Sequence, residues 1–395
     1  MKKVFLGFLA LAISAMPLMA EETMNAILTA MPSLSIAPDA HSGGMGDVGT
    51  ATNPDLNSQH WNPAKYAFMD SHGGITANYT PWLTKIVDDI NLAYIAGYYK
   101  WDDLQAVSAS LTYFSLGKVD LTTIDADFLA EARPNEWALD VAYSRKLIET
   151  LSIAVALRFM YSDLNNGVNT SALGSATEMI PGWTMAADIA LYYKQPIEIG
   201  MGTSYFGLGL DISNLGGKIT YDRGKENQSF IPTNLRLGLS YEMPFDDYNR
   251  LSFNADVSKL LVPTRKSKFA VDENGNALEG AALTRWYSDL SPLKGIWYSF
   301  ADAPGGFKEE LQEIQLGLGL EYSYDRKFFA RFGYSHEARN KGNRRYFTMG
   351  AGFHLSIFSL DVAYVKALAA SNPLDNTLRF TIGFDIAGIK DLIKR

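Results

Sequence analysis

The residue types that most often carry catalysis or bind metals are few in this 395-residue chain, and they do not form working patterns. The chain has five histidines, at His41, His60, His72, His336 and His354. Their spacing is not that of metal ligands, and there is no cysteine to complete a site. Ser335 and His336 are neighbours on a predicted strand, so their side chains face opposite ways and do not form a catalytic pair. The sequence therefore predicts no cofactor, no metal centre and no enzymatic activity.

Two short segments begin like ligand-binding motifs without completing them. Residues 44–49 fit the pattern G-x-G-x-x-G, which binds dinucleotides only between a strand and a helix, whereas here prolines flank it on both sides. Residues 272–276 begin like a calcium loop, but Ala277 replaces the turn glycine and Leu283 replaces the bidentate glutamate. We interpret the first segment as tight turns against a barrel wall and the second as an ordinary turn.

Most of the chain alternates apolar and polar side chains, and only an extended strand has that two-residue period. In residues 313–324, aliphatic or tyrosine side chains alternate with glycine, serine, glutamine and glutamate. The alternating segments run to about 10–12 residues, the length that crosses a membrane at a tilt. Because a bilayer excludes open sheet edges, such strands must close on themselves. The sequence predicts an all-β transmembrane barrel of the outer membrane, with apolar side chains outward and a polar lumen.

The predicted barrel covers residues 73–388 and has about fourteen antiparallel strands, an even number, as in single-chain bacterial barrels. The predicted strands are residues 73–80, 89–101, 104–117, 135–147, 150–163, 183–195, 203–214, 233–243, 250–261, 312–325, 327–338, 344–355, 357–368 and 376–387. Short connections alternate with long ones, as expected for periplasmic turns and external loops. This alternation places both ends of the barrel sequence in the periplasm. The largest connection, residues 262–311, is predicted to be an external loop.

The segments that flank the predicted barrel differ from it in composition. Residues 1–20 combine two lysines with an apolar run too short for a spanning helix, so we interpret them as a signal peptide. Residues 21–72 are rich in proline and small residues and are expected to form a periplasmic or plug-like segment. Residues 389–395 are expected to be a short periplasmic tail. The predicted location is the outer membrane of a Gram-negative bacterium.

Overall composition agrees with a barrel. The mean hydropathy of -0.06 is that of a soluble protein, because each predicted strand is half polar. The 21 tyrosines, 21 phenylalanines and 7 tryptophans suit the aromatic girdles of a membrane barrel. The net charge of -8 gives no reason to expect nucleic acid as a partner.

Charged residues stand at predicted lumen positions along many of the strands. They are Asp140, Arg158, Asp188, Asp211, Arg236, Asp256, Arg331, Asp361, Arg379 and Asp385. Unpaired charge in a narrow barrel is costly, so we expect a lumen charge network that neutralises itself and contacts the plug-like segment. A polar conduit or ligand groove is the alternative interpretation.

The predicted external loop, residues 262–311, is long enough to suggest a function of its own. It contains tryptophan, tyrosine and arginine, the residue types that most often anchor protein contacts. The candidate partner-binding residues are Arg285, Trp286, Tyr287, Trp297 and Tyr298. The alternative is that these side chains pack the loop against the barrel mouth or the aromatic girdle.

Four segments near the start of the chain carry a resemblance to a known family. They are residues 35–49, SIAPDAHSGGMGDVG, residues 57–68, NSQHWNPAKYAF, residues 79–83, YTPWL, and residues 90–94, INLAY. Together they resemble the PorV (LptO) family, outer-membrane proteins of the type IX secretion system in Bacteroidetes. That family is similar to the FadL transporters, so the resemblance implies a fourteen-stranded barrel with an N-terminal segment near the lumen.

The resemblance also implies a role in protein secretion without enzymatic activity. Members of the family bind the C-terminal domain of secreted cargo at the translocon barrel, which is SprA- or Sov-like. They shuttle it to an attachment complex of the sortase-like PorU with PorZ and PorQ, which links the cargo to lipopolysaccharide. Outer-membrane lipids and lipopolysaccharide are therefore implied partners. Two alternatives are a FadL-like transporter of hydrophobic small molecules and a lipid A O-deacylation factor. The first would need an apolar path that the predicted lumen does not supply, and no residue stands out for the second.

Overall fold

A computed structural model describes most of the chain. The described residues are 24–83, 87, 89–122, 128–166, 168, 179–199, 202–224, 228–368, 372 and 374–385. The predicted signal peptide and the predicted tail at residues 389–395 lie outside these ranges. No helix in the described ranges is long and apolar enough to cross a membrane.

Fourteen antiparallel strands close into a single barrel, which confirms the predicted fold class. Each strand pairs with its neighbours in sequence, and the first pairs with the last, with Ile75 opposite Phe384. The strands are Gly73–Pro81, Asn91–Lys100, Gln105–Ser115, Asn135–Ile148, Leu151–Asp163, Gly182–Ile199, Gly202–Gly216, Asn234–Pro244, Asn249–Leu260, Ile314–Tyr324, Phe328–His336, Tyr346–His354, Phe358–Ala367 and Thr377–Asp385. All fourteen predicted strands are present, with ends displaced by a few residues.

Side chains along the wall strands alternate between the outside of the barrel and its lumen. In the Ile314–Tyr324 strand, Leu318, Leu320 and Tyr322 are exposed on the outside, whereas Ser323 and the intervening glycines are buried. An apolar outer surface on a closed barrel is the surface that faces lipid. The predicted arrangement of apolar side chains outward and polar side chains inward is confirmed.

The residues that precede the barrel, 24–72, pass through its lumen, and we call them the N-terminal segment. Their short helical elements are Pro32–Ser35, Ala40–Gly43, Ser58–Trp61 and Pro63–Phe68. The backbone runs against the wall at Gly46, where φ is 74°, and a Cβ there would overlap the Tyr334 backbone. A Cβ on Gly333 of the wall would overlap the Met45 and Gly46 backbones. Glycine on both sides therefore permits this close approach.

The N-terminal segment spans the barrel from one end to the other. The backbone N–H of Asn25 donates to the Asn340 carbonyl and that of Ala30 to the Phe230 carbonyl, both at 2.8 Å, at the end that carries the long loops. The segment then enters the first strand at Gly73, at the end with the short turns. The segment therefore reaches both ends of the barrel, and residues 25–30 bond to residues of the long connections.

The long connections contain structure that the alternation of side chains did not predict. The external loop has three short helices, Gly280–Asp289, Pro292–Tyr298 and Phe307–Gln312. Two other long connections contain small hairpins, Val119–Thr122 with Phe128–Ala132 and Ile219–Thr220 with Gln228–Ser229. Elements this short depend on tertiary packing more than on local sequence, so the sequence pattern does not identify them.

Candidate functional site

Tyr287 anchors the external loop to the barrel mouth. Its ring meets the ring of Phe230 edge-on, with 5.0 Å between the centroids, and its hydroxyl donates a hydrogen bond to the Pro263 carbonyl at 3.2 Å. The Lys218 ammonium donates to the backbone carbonyl of Tyr287 at 2.7 Å and lies 4.1 Å from the centre of the Phe230 ring. Burial lowers the pKa of Lys218 to about 8. Tyr287 itself is buried, so it packs the loop and is not available to a partner.

Two more of the candidate partner-binding residues also pack the loop. The rings of Trp286 and Tyr298 stack with their centroids 6.5 Å apart, which joins the Gly280–Asp289 helix to the Pro292–Tyr298 helix. Tyr298 also contacts the ring of Phe269, 4.5 Å away. Both candidates are partly buried against the cluster around Phe230. The loop is therefore a folded unit with its own small apolar core.

The remaining two candidates are exposed on the loop, as are three apolar side chains that sequence reasoning missed. Arg285 and Trp297 are exposed. Four large apolar side chains of the loop are exposed, and we call them together the apolar loop surface; their exposed fractions are 73% for Leu293, 77% for Trp297, 49% for Phe300 and 79% for Phe307. The first three are spaced i, i+4 and i+7, which is one face of a helix, and this spacing was the signal that could have found them. Exposed apolar clusters of this kind mark binding sites.

Inside the barrel, Arg158 is the centre of one group of buried charges. Its guanidinium lies 2.5 Å from a carboxylate oxygen of Asp140 and 2.9 Å from one of Asp188, and it donates to the side chain of Asn214. The backbone N–H of Asn214 in turn donates to Asp188 at 2.7 Å. These residues come from four wall strands, so the group ties neighbouring strands together from within the lumen.

Arg331 is the centre of a second group, which reaches the N-terminal segment. Its guanidinium lies 2.6 Å from Glu321 and 2.5 Å from Asp361. Glu321 also bonds to His41 of the segment at 2.9 Å, and His41 lies 3.5 Å from Asp55. His41 therefore links the segment to the wall.

Two other predicted lumen residues hold the N-terminal segment directly. Asp256 accepts hydrogen bonds from the backbone N–H groups of Gly49 and Thr50, both at 2.9 Å, and from the Thr50 hydroxyl at 2.7 Å. Arg379 lies 2.5 Å from a carboxylate oxygen of Asp47. The segment residues in these contacts were not among the predicted site residues, because nothing local in the sequence indicates which wall residue each will meet.

The last three predicted lumen residues occupy less constrained positions. Arg236 donates to the backbone carbonyl of His60 at 3.0 Å and lies 3.6 Å from Asp211. Asp385 is half-buried at the short-turn end. There it lines a cavity of about 600 Å³ that also has Arg331 in its wall. A separate cavity of about 90 Å³ lies toward the long-loop end, and the N-terminal segment lines both.

Comparison with known proteins points to one family and one fold. The family model "Type IX secretion system protein PorV" matches residues 19–267. No curated protein matches the chain. Among solved structures, the toluene transporter TodX of Pseudomonas putida has a TM-score of 0.50 at 11% identity, covering 91% of this chain and 98% of its own. A TodX mutant lacking S2 and S3, described as a monoaromatic hydrocarbon channel, has a TM-score of 0.51 at 12% identity, covering 87% and 96%. A FadL homologue of Pseudomonas aeruginosa is 12% identical, with a TM-score of 0.44 and coverage of 92% and 100%.

Proposed function

This chain belongs to the PorV family of type IX secretion system proteins, and from that premise we propose that it is a non-enzymatic carrier of secreted cargo. The closed barrel, its fold and its family place the protein in the outer membrane. In this proposal it binds the C-terminal domain of a cargo protein at the translocon barrel. It then delivers the cargo to the attachment complex that contains the PorU-like sortase with PorZ and PorQ.

The observation that carries the proposal is the apolar loop surface. Tyr287, Trp286 and Tyr298 pack the external loop, and beside them Trp297 and Phe307 are 77% and 79% exposed. Large aromatic side chains that are rigidly presented anchor protein interfaces at a low cost in conformational entropy. We therefore assign cargo binding to the apolar loop surface and to Arg285 beside it.

The contents of the lumen favour a carrier over a transporter of hydrophobic molecules. The N-terminal segment occupies the lumen and is held there by Asp256, Glu321 and Arg379. The larger cavity is lined by charged side chains such as Glu242, Arg250 and Arg331 as well as by apolar ones, so it does not form a continuous apolar path. No observation supports the deacylation alternative either, so the carrier is the function that we propose.

A pull-down tests the proposal. The detergent-purified barrel is mixed with an isolated cargo C-terminal domain, and the wild type is compared with the double variant Trp297→Ala, Phe307→Ala. We expect the double variant to bind about tenfold or more weakly, as for the loss of central interface anchors. The matched control is Val271→Ala, an exposed apolar residue of the same loop outside the apolar loop surface.

A second variant extends the test to the whole loop. Replacement of residues 264–310 by a short glycine-serine linker removes the apolar loop surface and its support together. Cargo binding that survives in both variants would move the binding site to another loop. Wild-type protein that binds no cargo domain would count against the carrier function itself.

A further inference from the structure

A second cluster of buried charges lies at the base of the external loop, separate from the lumen network. Asp302, Glu310 and Glu313 are buried, and each offers a carboxylate oxygen within 4.8 Å of the others. Asp302 precedes the Phe307–Gln312 helix, Glu310 lies in that helix, and Glu313 follows its last residue. We propose that these three carboxylates form a calcium site that fastens the external loop to the barrel mouth.

Asp302 provides the observation that indicates a missing ligand. Its side chain is fully buried, and its Oδ2 atom accepts a hydrogen bond from the backbone N–H of Thr264 at 2.8 Å. Its other oxygen, Oδ1, is also buried and has no hydrogen-bond partner. Buried polar atoms are almost always paired, and an unpaired one calls for an ion or a water. A cation among the three carboxylates would give Oδ1 the partner that it lacks.

The charge balance of the cluster also favours a divalent cation. A fourth carboxylate, that of Glu309, is linked to the cluster through Lys341. The Lys341 ammonium lies 2.7 Å from Glu309 and 2.9 Å from Glu313. Among the described ion pairs of these carboxylates, the second ammonium group is that of Lys259. It lies 3.2 Å from Glu310 and 2.5 Å from Glu313. Four carboxylates therefore face two ammonium groups. Unbalanced charge is costly to bury, and one divalent cation would neutralise the excess.

The donor set selects calcium among the common divalent cations. Its three carboxylates offer oxygen and neither nitrogen nor sulfur, which is unlike the ligand sets that zinc prefers. Calcium accepts six to eight oxygens in irregular geometry, whereas magnesium demands a near-ideal octahedron. The Ser267 hydroxyl lies close to Asp302 as a further neutral oxygen. A site of this kind outside the cell is expected to bind calcium with a Kd of about 10⁻⁴–10⁻³ M.

Lys259 makes the proposal sharply testable, because its ammonium lies between two of the proposed ligands. An ammonium and a calcium ion would compete for Glu310 and Glu313, so calcium must displace Lys259 from at least one of them. Removing the ammonium should therefore strengthen calcium binding. If the cluster were only a structural set of ion pairs, removing the ammonium would give no such gain.

The experiment is a calorimetric titration of the purified full-length barrel in detergent with calcium chloride. We expect one site in the wild type, about tenfold or more weaker binding in Asp302→Asn, and tighter binding in Lys259→Met. Asp289→Asn is the matched control, because Asp289 is an exposed aspartate of the same loop outside the cluster. It should bind calcium as the wild type does.

Three results would overturn the proposal. The first is a wild type that takes up no calcium at millimolar concentration. The second is an Asp302→Asn variant that binds as tightly as the wild type. The third is a Lys259→Met variant that binds calcium no more tightly than the wild type, since the lysine would then not compete with calcium for Glu310 and Glu313. None of these results depends on cargo binding, so the test is independent of the proposed carrier function.

Discussion

The barrel lumen buries its charged side chains, whereas the external loop leaves part of its aromatic side chains exposed. In the lumen, charged groups such as Arg158 and Arg331 are buried, and each meets two carboxylates. In the external loop, aromatic groups are divided between a buried set around Tyr287 and an exposed set around Trp297. The two lumen arginines are paired within the protein, whereas the loop leaves large aromatic side chains exposed to solvent.

This contrast separates stability from recognition. A buried charge whose partner is removed stays in the protein interior and destabilises the folded state. An exposed aromatic group contributes little to the free energy of folding. Its removal lowers only the affinity for a partner that covers it. Substitutions in the lumen should therefore change the free energy of unfolding, and substitutions in the apolar loop surface should change binding. The following predictions test that separation, from the largest expected effect on stability to the smallest.

The largest effect is expected for Arg158→Met. The substitution leaves Asp140 and Asp188 buried without their shared cation, which should cost about 3–5 kcal/mol. Urea titration of the barrel in detergent measures the loss. Arg133→Met is the matched control, because Arg133 pairs with Glu131 on the surface and should change stability by less than about 0.5 kcal/mol. Equal losses in the two variants would contradict the role given to the lumen group.

A smaller effect is expected from Gly333→Ala, which tests how the N-terminal segment is seated. The added methyl group would overlap the backbone at Met45 and Gly46, and crowding of this kind costs about 1–3 kcal/mol. Proteolysis within residues 24–72 should become faster. Gly217→Ala is the control, because a methyl group there would meet only the movable hydroxyl of Thr184. Equal protease resistance in both variants would show that the segment does not need this close contact.

The smallest effect on stability is expected from Trp297→Ala combined with Phe307→Ala. Both side chains are almost fully exposed, so the free energy of unfolding should change by less than about 0.5 kcal/mol while cargo binding falls. Urea titration and the pull-down, run on the same preparation, check both parts. A large loss of stability in this variant would remove the contrast between the lumen and the loop.

Most of the barrel could be predicted from the sequence, and the partners of its lumen residues could not. The alternation of side chains predicted all fourteen strands and the inward positions of residues such as Asp256 and Arg379. It did not predict that Asp256 would bind the backbone of Gly49 and Thr50, or that Arg379 would meet Asp47. Those partners are separated by hundreds of residues, and only the path of the N-terminal segment brings them together.

The candidate site on the external loop was predicted only in part. The residue types drew attention to the loop, but they did not distinguish buried Tyr287 from exposed Trp297, since aromatic side chains occur both in cores and on surfaces. Leu293, Phe300 and Phe307 were overlooked because the loop was treated as irregular, and their spacing has meaning only once the helices are known. The carboxylates at Asp302, Glu310 and Glu313 were overlooked for a similar reason.

The sequence by itself determined that this chain forms an outer-membrane barrel, because side-chain alternation is a local property that each strand carries within its own residues. The tertiary structure decided which charges pair, which aromatic groups remain exposed, and where the carboxylates of the loop meet. These properties depend on distances between residues far apart in the chain, such as the 2.9 Å between His41 and Glu321. Such distances exist only after the barrel has closed around the N-terminal segment.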